Sequence, residues 1–443
     1  MSSLFITLTA PNGLSYSQPT GLFINNEFVE AQSKAQLSTI NPATEQEITK
    51  VSAAGPEDVD IAVKAARKAF KHPSWRKLPG TSRGELLLKL ASLVEENSHT
   101  LATIETWDNG KWNFPLAMAA WKLGPALACG NTIVMKPAEQ TPLSILFLAT
   151  LIVKAGFPPG VVNILNGYGR TAGAALASHP QIDKIAFTGS TQTGREIMKM
   201  AAVNLKNITL ETGGKSPLLV FEDANLESAI QWAHTGIMFN QGQICTATSR
   251  ILVHESVYDQ FVGAFKKHTK NVSKIGDPFK NTTFQGPQIT KAQFDRVMSY
   301  IEAGKTEGAT LVYGGEAYKD VNGRGFFVSP TIFTNVTDGM SIYREEVFGP
   351  FVVISSFKTE EEAVTRANDT TYGLGAAVFT QDIKRAHRVA ADIEAGMVWI
   401  NSSNDSDFRI PFGGVKQSGI GRELGEAGLA AYTNIKSVHV NLD

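Results

Sequence analysis

Apolar residues recur along this chain with two periods, and the places where one gives way to the other divide it into sections. Gly21–Val29 alternates around an Asn-Asn pair (Leu-Phe-Ile-Asn-Asn-Glu-Phe-Val), the pattern of a β-hairpin, and the first fifty residues as a whole read as short extended segments. Pro56–His72 switches to the helical period, with Val59, Ile61, Val63, Ala66 and Phe70 on one side. Thr81 or Ser82 is placed to cap a second helix, Arg83 to about Asn97, whose Leu86, Leu87, Leu90, Leu93 and Val94 face inward.

From Pro115 helix and strand patterns alternate strictly. A helix at Leu116–Ala128 ends at Gly130, and a strand at Thr132–Lys136 leads into a helix from Pro142 to Ala155. Then come the strand Val161–Leu165, a helix at Thr171–Ser178, the strand Lys184–Phe187, a helix at Thr193–Ala202 and the strand Ile208–Glu211. Strands separated by helices of this length predict a doubly wound parallel sheet, with ligands at the carboxyl ends of the strands. After Gly213-Gly214 a second α/β section begins with the strand Pro217–Val220 and continues through further helix–strand units to Met397–Asn401. A Gly-rich loop, a short helix near Glu423–Ala430 and a final strand, Ser437–Asn441, close the chain. The expected architecture is α/β, two domains with a cleft between them.

Composition narrows the function. The 443 residues suffice for two or three domains with sizeable cores, and 41 basic against 42 acidic residues leave a net charge of -1. No polyanion is sought, so nucleic acid is not an expected partner. The longest predominantly apolar run, Ile145–Val153, is half a membrane span, and no basic n-region with an apolar stretch follows Met1. A cytoplasmic protein without membrane contact is expected. Two cysteines, Cys129 and Cys245, cannot build a disulfide framework, and the eight histidines are scattered, so no metal site is expected.

Four places carry candidate chemistry. Cys245 lies among small and polar residues just past a helix end near Phe239, although by local context alone a buried core cysteine fits equally well. Glu211 ends an apolar strand where doubly wound sheets place ligands, and partial desolvation there would raise its pKa toward the range of a general base. A solvated loop carboxylate is the plainer reading. Two Gly-rich turns, Gly167–Gly173 and Phe187–Gly194, follow strands; neither is a Gly-x-Gly-x-x-Gly fingerprint or a P-loop, yet each sets a helix N-terminus where a pyrophosphate could sit. Lys136 and Glu139, three apart after a strand, could bond ribose hydroxyls or simply cap the following turn.

These pieces, in this order, resemble the NAD(P)-dependent aldehyde dehydrogenase family. The resemblance runs from about Gly21 to the C-terminus. It is carried by Trp112-Asn113-Phe114-Pro115, Met135-Lys136-Pro137-Ala138-Glu139, Phe187-Thr188-Gly189-Ser190, Leu210-Glu211-Thr212-Gly213-Gly214-Lys215, Gln241-Gly242-Gln243-Ile244-Cys245, Glu345-Glu346-Val347-Phe348-Gly349-Pro350 and Pro411-Phe412-Gly413-Gly414. It implies an NAD-binding domain over 1–213, a catalytic domain over 214–414, and a C-terminal helix and strand over 415–443 returning to the first domain and the subunit interface. Cys245 would attack the aldehyde, Asn113 and the Cys245 N–H would hold the oxyanion, and Glu211 would activate the hydrolytic water. Trp112, Lys136, Glu139, Gly169, Gly189, Ser190, Glu346 and Phe348 would line the cofactor, with NAD favoured over NADP because Glu139 opposes a 2′-phosphate. The implied assembly is a homodimer or homotetramer. Trp121, Phe239, Ile244 and Phe408 are candidates for the substrate entrance.

One departure stands out. In the family a long segment separates the stretch resembling Leu101–Lys111 from Trp-Asn-Phe-Pro; here Lys111 runs directly into Trp112, as if about fifty residues were absent. By resemblance the absent segment holds the central first strand of the cofactor sheet and part of the subunit-contact arm. The expected consequences are a cofactor sheet without its central strand, impaired catalysis and doubtful assembly. A non-catalytic binding protein on the same scaffold is the alternative. Coenzyme A or a phosphorylated substrate as acyl acceptor is a third reading, which the retained Glu211 disfavours.

Overall fold

The computed structural model describes residues 4–110, 114–319 and 323–443. The expected hairpin is present as β1 (Leu22–Ile24) and β2 (Glu27–Val29), with Asn25 and Asn26 at φ 55° and 63°. Asparagine tolerates this left-handed region better than other non-glycine residues, which is why the pair makes the turn. Helix α1 (Pro56–Lys71) opens on a proline, and the Asp58 carboxylate accepts from the Gly55 N–H at 2.9 Å and the Gln32 N–H at 3.0 Å, tying the helix start to the hairpin section. The second helix, α2 (Gly80–Glu96), begins earlier than its sequence pattern indicates. Pro79, with φ -57°, already sets up the first turn, so Thr81 and Ser82 fall inside the helix and neither caps it. Helix α3 (Ser98–Asn109) ends at Gly110, whose φ of +56° and close approach to Pro42 and Pro287 exclude a side chain.

The chain next enters α4 (Pro115–Ala128), and no strand lies between α3 and α4 among the described residues. There follow β3 (Ile133–Met135), α5 (Leu143–Ala155), β4 (Val162–Ile164), α6 (Ala174–Ser178), β5 (Lys184–Thr188), α7 (Thr191–Ala201) and β6 (Asn207–Glu211). The second section supplies β7 (Pro217–Val220), α8 (Leu226–Met238), β8 (Arg250–His254), α9 (Tyr258–Val272), α10 (Lys291–Thr306), β9 (Thr310–Tyr313), β10 (Thr331–Thr334) and β11 (Phe351–Phe357). It continues with α11 (Glu360–Asn368), β12 (Gly375–Phe379), α12 (Ile383–Asp392), β13 (Met397–Ile400), β14 (Gly419–Ile420) and α13 (Gly425–Ala430).

Strands β7–β13 form a seven-stranded sheet in the order β9-β10-β11-β8-β7-β12-β13, parallel apart from the β9–β10 pair. The strands of the first section do not join into one sheet. Strands β1–β6 make two half-sheets, β2-β1-β4-β3 and, with β14 returning from the C-terminal section, β14-β6-β5, while the hairpins Phe5–Thr9/Ser15–Pro19 and Gln36–Asn41/Gln46–Ser52 stand apart. Strand β3 pairs in parallel with β4, and β5 in parallel with β6, but β3 and β5 do not touch in a ladder. In a 3-2-1-4-5 order these two would flank strand 1, so the break falls where the absent central strand was expected. The expected final strand, Ser437–Asn441, is not formed: residues 433–443 carry no regular structure. Its residues alternate, yet among the described residues no strand is paired with them.

The apolar stretch around Ile145–Val153 belongs to α5, in which Leu143, Leu146, Leu151 and Ile152 are wholly buried among α2, α3 and α4. Burial of each such side chain contributes about 1.5–3 kcal/mol, which explains a helix apolar nearly all round. Among the described residues no helix is long and apolar enough to cross a membrane.

Candidate functional site

The carboxyl ends of β3, β5 and β6 open on a cavity of about 1140 Å³ that reaches the first turn of α7 on one side and Cys245 on the other. Lys136, Glu139, Gly169, Gly189, Ser190, Glu211, Glu346, Phe348 and Cys245, all singled out from the sequence, line this one space. Trp112 and Asn113 lie outside the described residues. The four entrance candidates are not on its wall: Trp121 packs on the Phe412 ring (4.8 Å between centroids), Phe239 stacks on Phe114, Phe408 is exposed, and Ile244 joins the core beside β7 and β8.

Cys245 is held by a strained turn. Asn240 and Gln241 adopt positive φ (53° and 57°), and Gly242 follows at 66°. Buried amides offset that strain: Gln241 Nε2 donates to the Gly110 carbonyl (3.2 Å), its Oε1 accepts from the Gly286 N–H (3.1 Å), and Gln243 Oε1 accepts from the Ile289 N–H (3.1 Å). A Cβ on Gly242 would collide with the Gly349 carbonyl, so the turn before Cys245 and the loop carrying Glu346 and Phe348 are in backbone contact. Likewise a Cβ on Gly214 would come within 2.5 Å of the Cys245 carbonyl, which accounts for glycine after β6. Burial, with the nearby Glu211 and Glu346 carboxylates, pushes the Cys245 thiol up to about 12.

Glu211 sits at the end of β6, 2% exposed, and neither carboxylate oxygen has a protein hydrogen-bond partner. Desolvation, then the charge of Glu423, raises its pKa to about 9, overturning the solvated-loop reading. Antiparallel β14 sets Gly419 opposite Glu211, and a Cβ on Gly413 would stand 2.7 Å from Glu211 Oε1. The Phe-Gly-Gly turn therefore leaves this carboxylate its room. Two further residues belong to the cluster and were not found from sequence: Lys122 Nζ lies 2.7 Å from Glu423 Oε1 and donates to Thr188 Oγ1 at 2.8 Å. Nothing local marks either one, since some three hundred positions separate them.

The remaining wall has the chemistry of a dinucleotide cradle. Lys136 Nζ reaches Glu139 Oε2 (3.3 Å) and the carbonyls of Pro137 and Gly167, and burial draws its pKa down. Ser190 caps α7, its Oγ accepting from the Thr193 N–H at 3.2 Å, which turns the positive end of that helix toward the cavity. A Cβ on Gly189 would strike the Phe187 ring. Glu346 Oε1 accepts from the Gly214 N–H at 3.0 Å, and burial raises its pKa to about 7. Phe348 holds φ 60°, and its carbonyl accepts from Gln293 Nε2 at 2.8 Å, while Arg296 donates to the Glu346 carbonyl at 2.8 Å. Gln293 and Arg296, on one face of α10, thus position the loop; their spacing of three was the available signal. A Lys–Glu pair at a strand end, a helix N-terminus and a second carboxylate beside a thiol have the chemistry to fit an extended dinucleotide. Among the described residues no group of three or more metal-binding side chains occurs.

The sequence model of the aldehyde dehydrogenase family matches residues 28–111 and 112–438, two stretches that meet between Lys111 and Trp112. An aldehyde dehydrogenase of Davidiella tassiana is 49% identical over 493 positions, covering 99% of this chain and 98% of its own. The aldehyde dehydrogenase [NAD(P)+] 1 of Saccharomyces cerevisiae is 46% identical over 503 positions, covering 100% and 99%. Both alignments exceed the 443 residues here, so at least 50 positions in the first and 60 in the second have no counterpart. The structure of an aldehyde dehydrogenase from Bacillus cereus in complex with NAD+ superposes with TM-score 0.93 at 46% identity, covering 96% of this chain and 97% of that one.

Proposed function

This chain belongs to the aldehyde dehydrogenase family, and on that premise we propose that its cavity oxidises an aldehyde to the carboxylic acid through a covalent intermediate on Cys245. The observation that carries the reading is the placement of a thiol, a buried unpaired carboxylate and a dinucleotide-like cradle around one cavity. The cofactor is NAD, with NADP the alternative; when bound it supplies the hydride acceptor and a positive ring.

Cys245 adds to the aldehyde carbonyl as thiolate, giving a thiohemiacetal whose oxyanion is met by the Cys245 N–H and Asn113. A thiol standing near 12 ionises poorly by itself, so an adjacent positive charge and a proton acceptor are required. The thiol proton leaves to solvent before the addition; Glu211, near 9, is suited in its carboxylate form to take a proton from the water that attacks the thioester. Lys122 and Glu423 tune it: the ammonium lowers and the carboxylate raises the Glu211 pKa. Lys136 and Glu139 take the adenosine ribose, Gly169 the adjoining edge, Gly189 and Ser190 the pyrophosphate, and Trp112, Glu346 and Phe348 the nicotinamide half. The protein acts in the cytoplasm as a homodimer or homotetramer.

The break between β3 and β5 favours a second reading, cofactor binding without ordinary turnover, because each unsatisfied backbone group costs about 1–3 kcal/mol and an oxyanion donor displaced by an ångström costs about a hundredfold in rate. Purified chain is tested by thermal melting with NAD and by NADH formation with short aldehydes. A melt raised by NAD (about 2.7 kcal/mol at a hundred times Kd) with turnover of ~1–10³ s⁻¹ supports the first reading. A raised melt without turnover supports the second, and no NAD response with no turnover removes both.

A further inference from the structure

We propose that the open position between β3 and β5 is a strand-binding site, and that the chain's own C-terminal segment, Ile435–Leu442, enters it as a parallel strand. The two facing edges are in place. Among the described residues, strand β3 is paired only with β4 and β5 only with β6, and the outer sides of both, Thr132–Lys136 and Lys184–Thr188, line the same cavity. In β5 the N–H of Gly189 and the carbonyl of Asp183 bond across to β6, so by alternation the backbone groups of Lys184, Ala186 and Thr188 point the other way. In β3, Ile133 and Met135 bond to the β4 side, which leaves those of Val134 facing the same gap. Edges of this kind are templates for a further strand.

The chain delivers such a strand to the right end of the gap. Tyr432 bridges the starts of both strands: its carbonyl accepts from Asn131 Nδ2 at 2.9 Å, just before β3, and its ring lies 5.1 Å from the Nζ of Lys184, the first residue of β5. Residues Ala431–Asn434 line the cavity. A segment leaving this point along the gap runs parallel to both neighbours, as a central strand of this sheet must. The chain beyond Asn434 has the pattern for it. Val438, Val440 and Leu442 alternate on one side of an extended chain, and with Ile435 they are 74%, 72%, 92% and 100% exposed without regular structure. Val438–Leu442 has five residues, the length of β5. Its apolar side meets Val63, Ala66 and Phe70 of α1, which form one wall of the gap. Insertion satisfies two rows of backbone groups and buries three large apolar side chains.

Hydrogen exchange of the full chain and of a chain ending at Asn434 tests this. The Val134, Ala186 and Thr188 amides are expected to exchange at least about tenfold slower in the full chain, with β7 and β8 protected alike in both as evidence that the shorter chain folds. Equal exchange at the three amides overturns the proposal. In the full chain, a Val440→Cys, Ala186→Cys double variant treated with a short bismaleimide is compared with each single variant to discount Cys129 and Cys245. A 186–440 link within one chain is expected; no link, or a link only between two chains (a tail exchanged with a second copy), overturns it.

Discussion

Lys122 Nζ lies 2.7 Å from Glu423 Oε1, 17% and 2% exposed, and the pair stands within electrostatic reach of Glu211. Removing one member of a buried pair leaves the other charge uncompensated, at a cost of about 3–5 kcal/mol. Lys122→Ala is therefore expected to lower Tm markedly and to move the Glu211 pKa further up. An alkaline limb of kcat/KM unchanged from the native protein, together with an unchanged Tm, would contradict this.

Glu211 itself predicts two pH dependences. Its folded pKa near 9 exceeds the ordinary 4.5, so between these values the unfolded chain has lost a proton that the folded one keeps, and the group's contribution to stability falls as pH rises through that window. Glu211→Gln should gain Tm over the native chain progressively from pH 5 to 9. Hydrolysis should rise toward pH 9 in the native protein, and the Gln variant should release one burst of NADH per site and stall. A flat Tm difference, or steady turnover by the variant, tells against the assignment.

For Cys245→Ala we expect acid formation to drop by a factor on the order of 10⁴ or more while NAD still raises the melt. Residual turnover within tenfold of native would place the nucleophile elsewhere.

Gly413→Ala puts a Cβ 2.7 Å from Glu211 Oε1 at a φ of +151°, where side chains are strained. Displacement of the base by an ångström predicts a loss of about a hundredfold in kcat, with NAD affinity little changed. Stopped-flow separation of acylation from deacylation should find the loss in deacylation.

Much of this was legible in the chain. Asn25-Asn26 marked the hairpin because the turn needs residues that tolerate positive φ, and Pro217–Val220 is bounded as its pattern indicates. The break in the first sheet was legible too, as the direct run from Lys111 to Trp112. What escaped was set by tertiary context. Thr81 and Ser82 look like caps, but Pro79 fixes the helix start. Ser437–Asn441 alternates like a strand, yet it carries no regular structure, because the pattern fixes which side chains share a face and not whether the segment is paired. Glu423 reads as the start of the short helix to Ala430, but that helix begins at Gly425, and the return of β14 to β6 and the Phe412–Glu423 bridge bury Glu423 beside Lys122.

The backbone contact of Gly242 with Gly349 bears on how such a site can be redesigned. The turn that aims Cys245 and the loop that carries Glu346 and Phe348 abut with no side chain between them, so neither can be widened, tilted or lengthened while the other stays still. A library that reshapes one loop for a bulkier aldehyde will register as altered cofactor affinity, and productive variants will come as paired changes on both loops. On the proposed function, a change made in either loop is therefore expected to shift aldehyde acceptance and NAD affinity together.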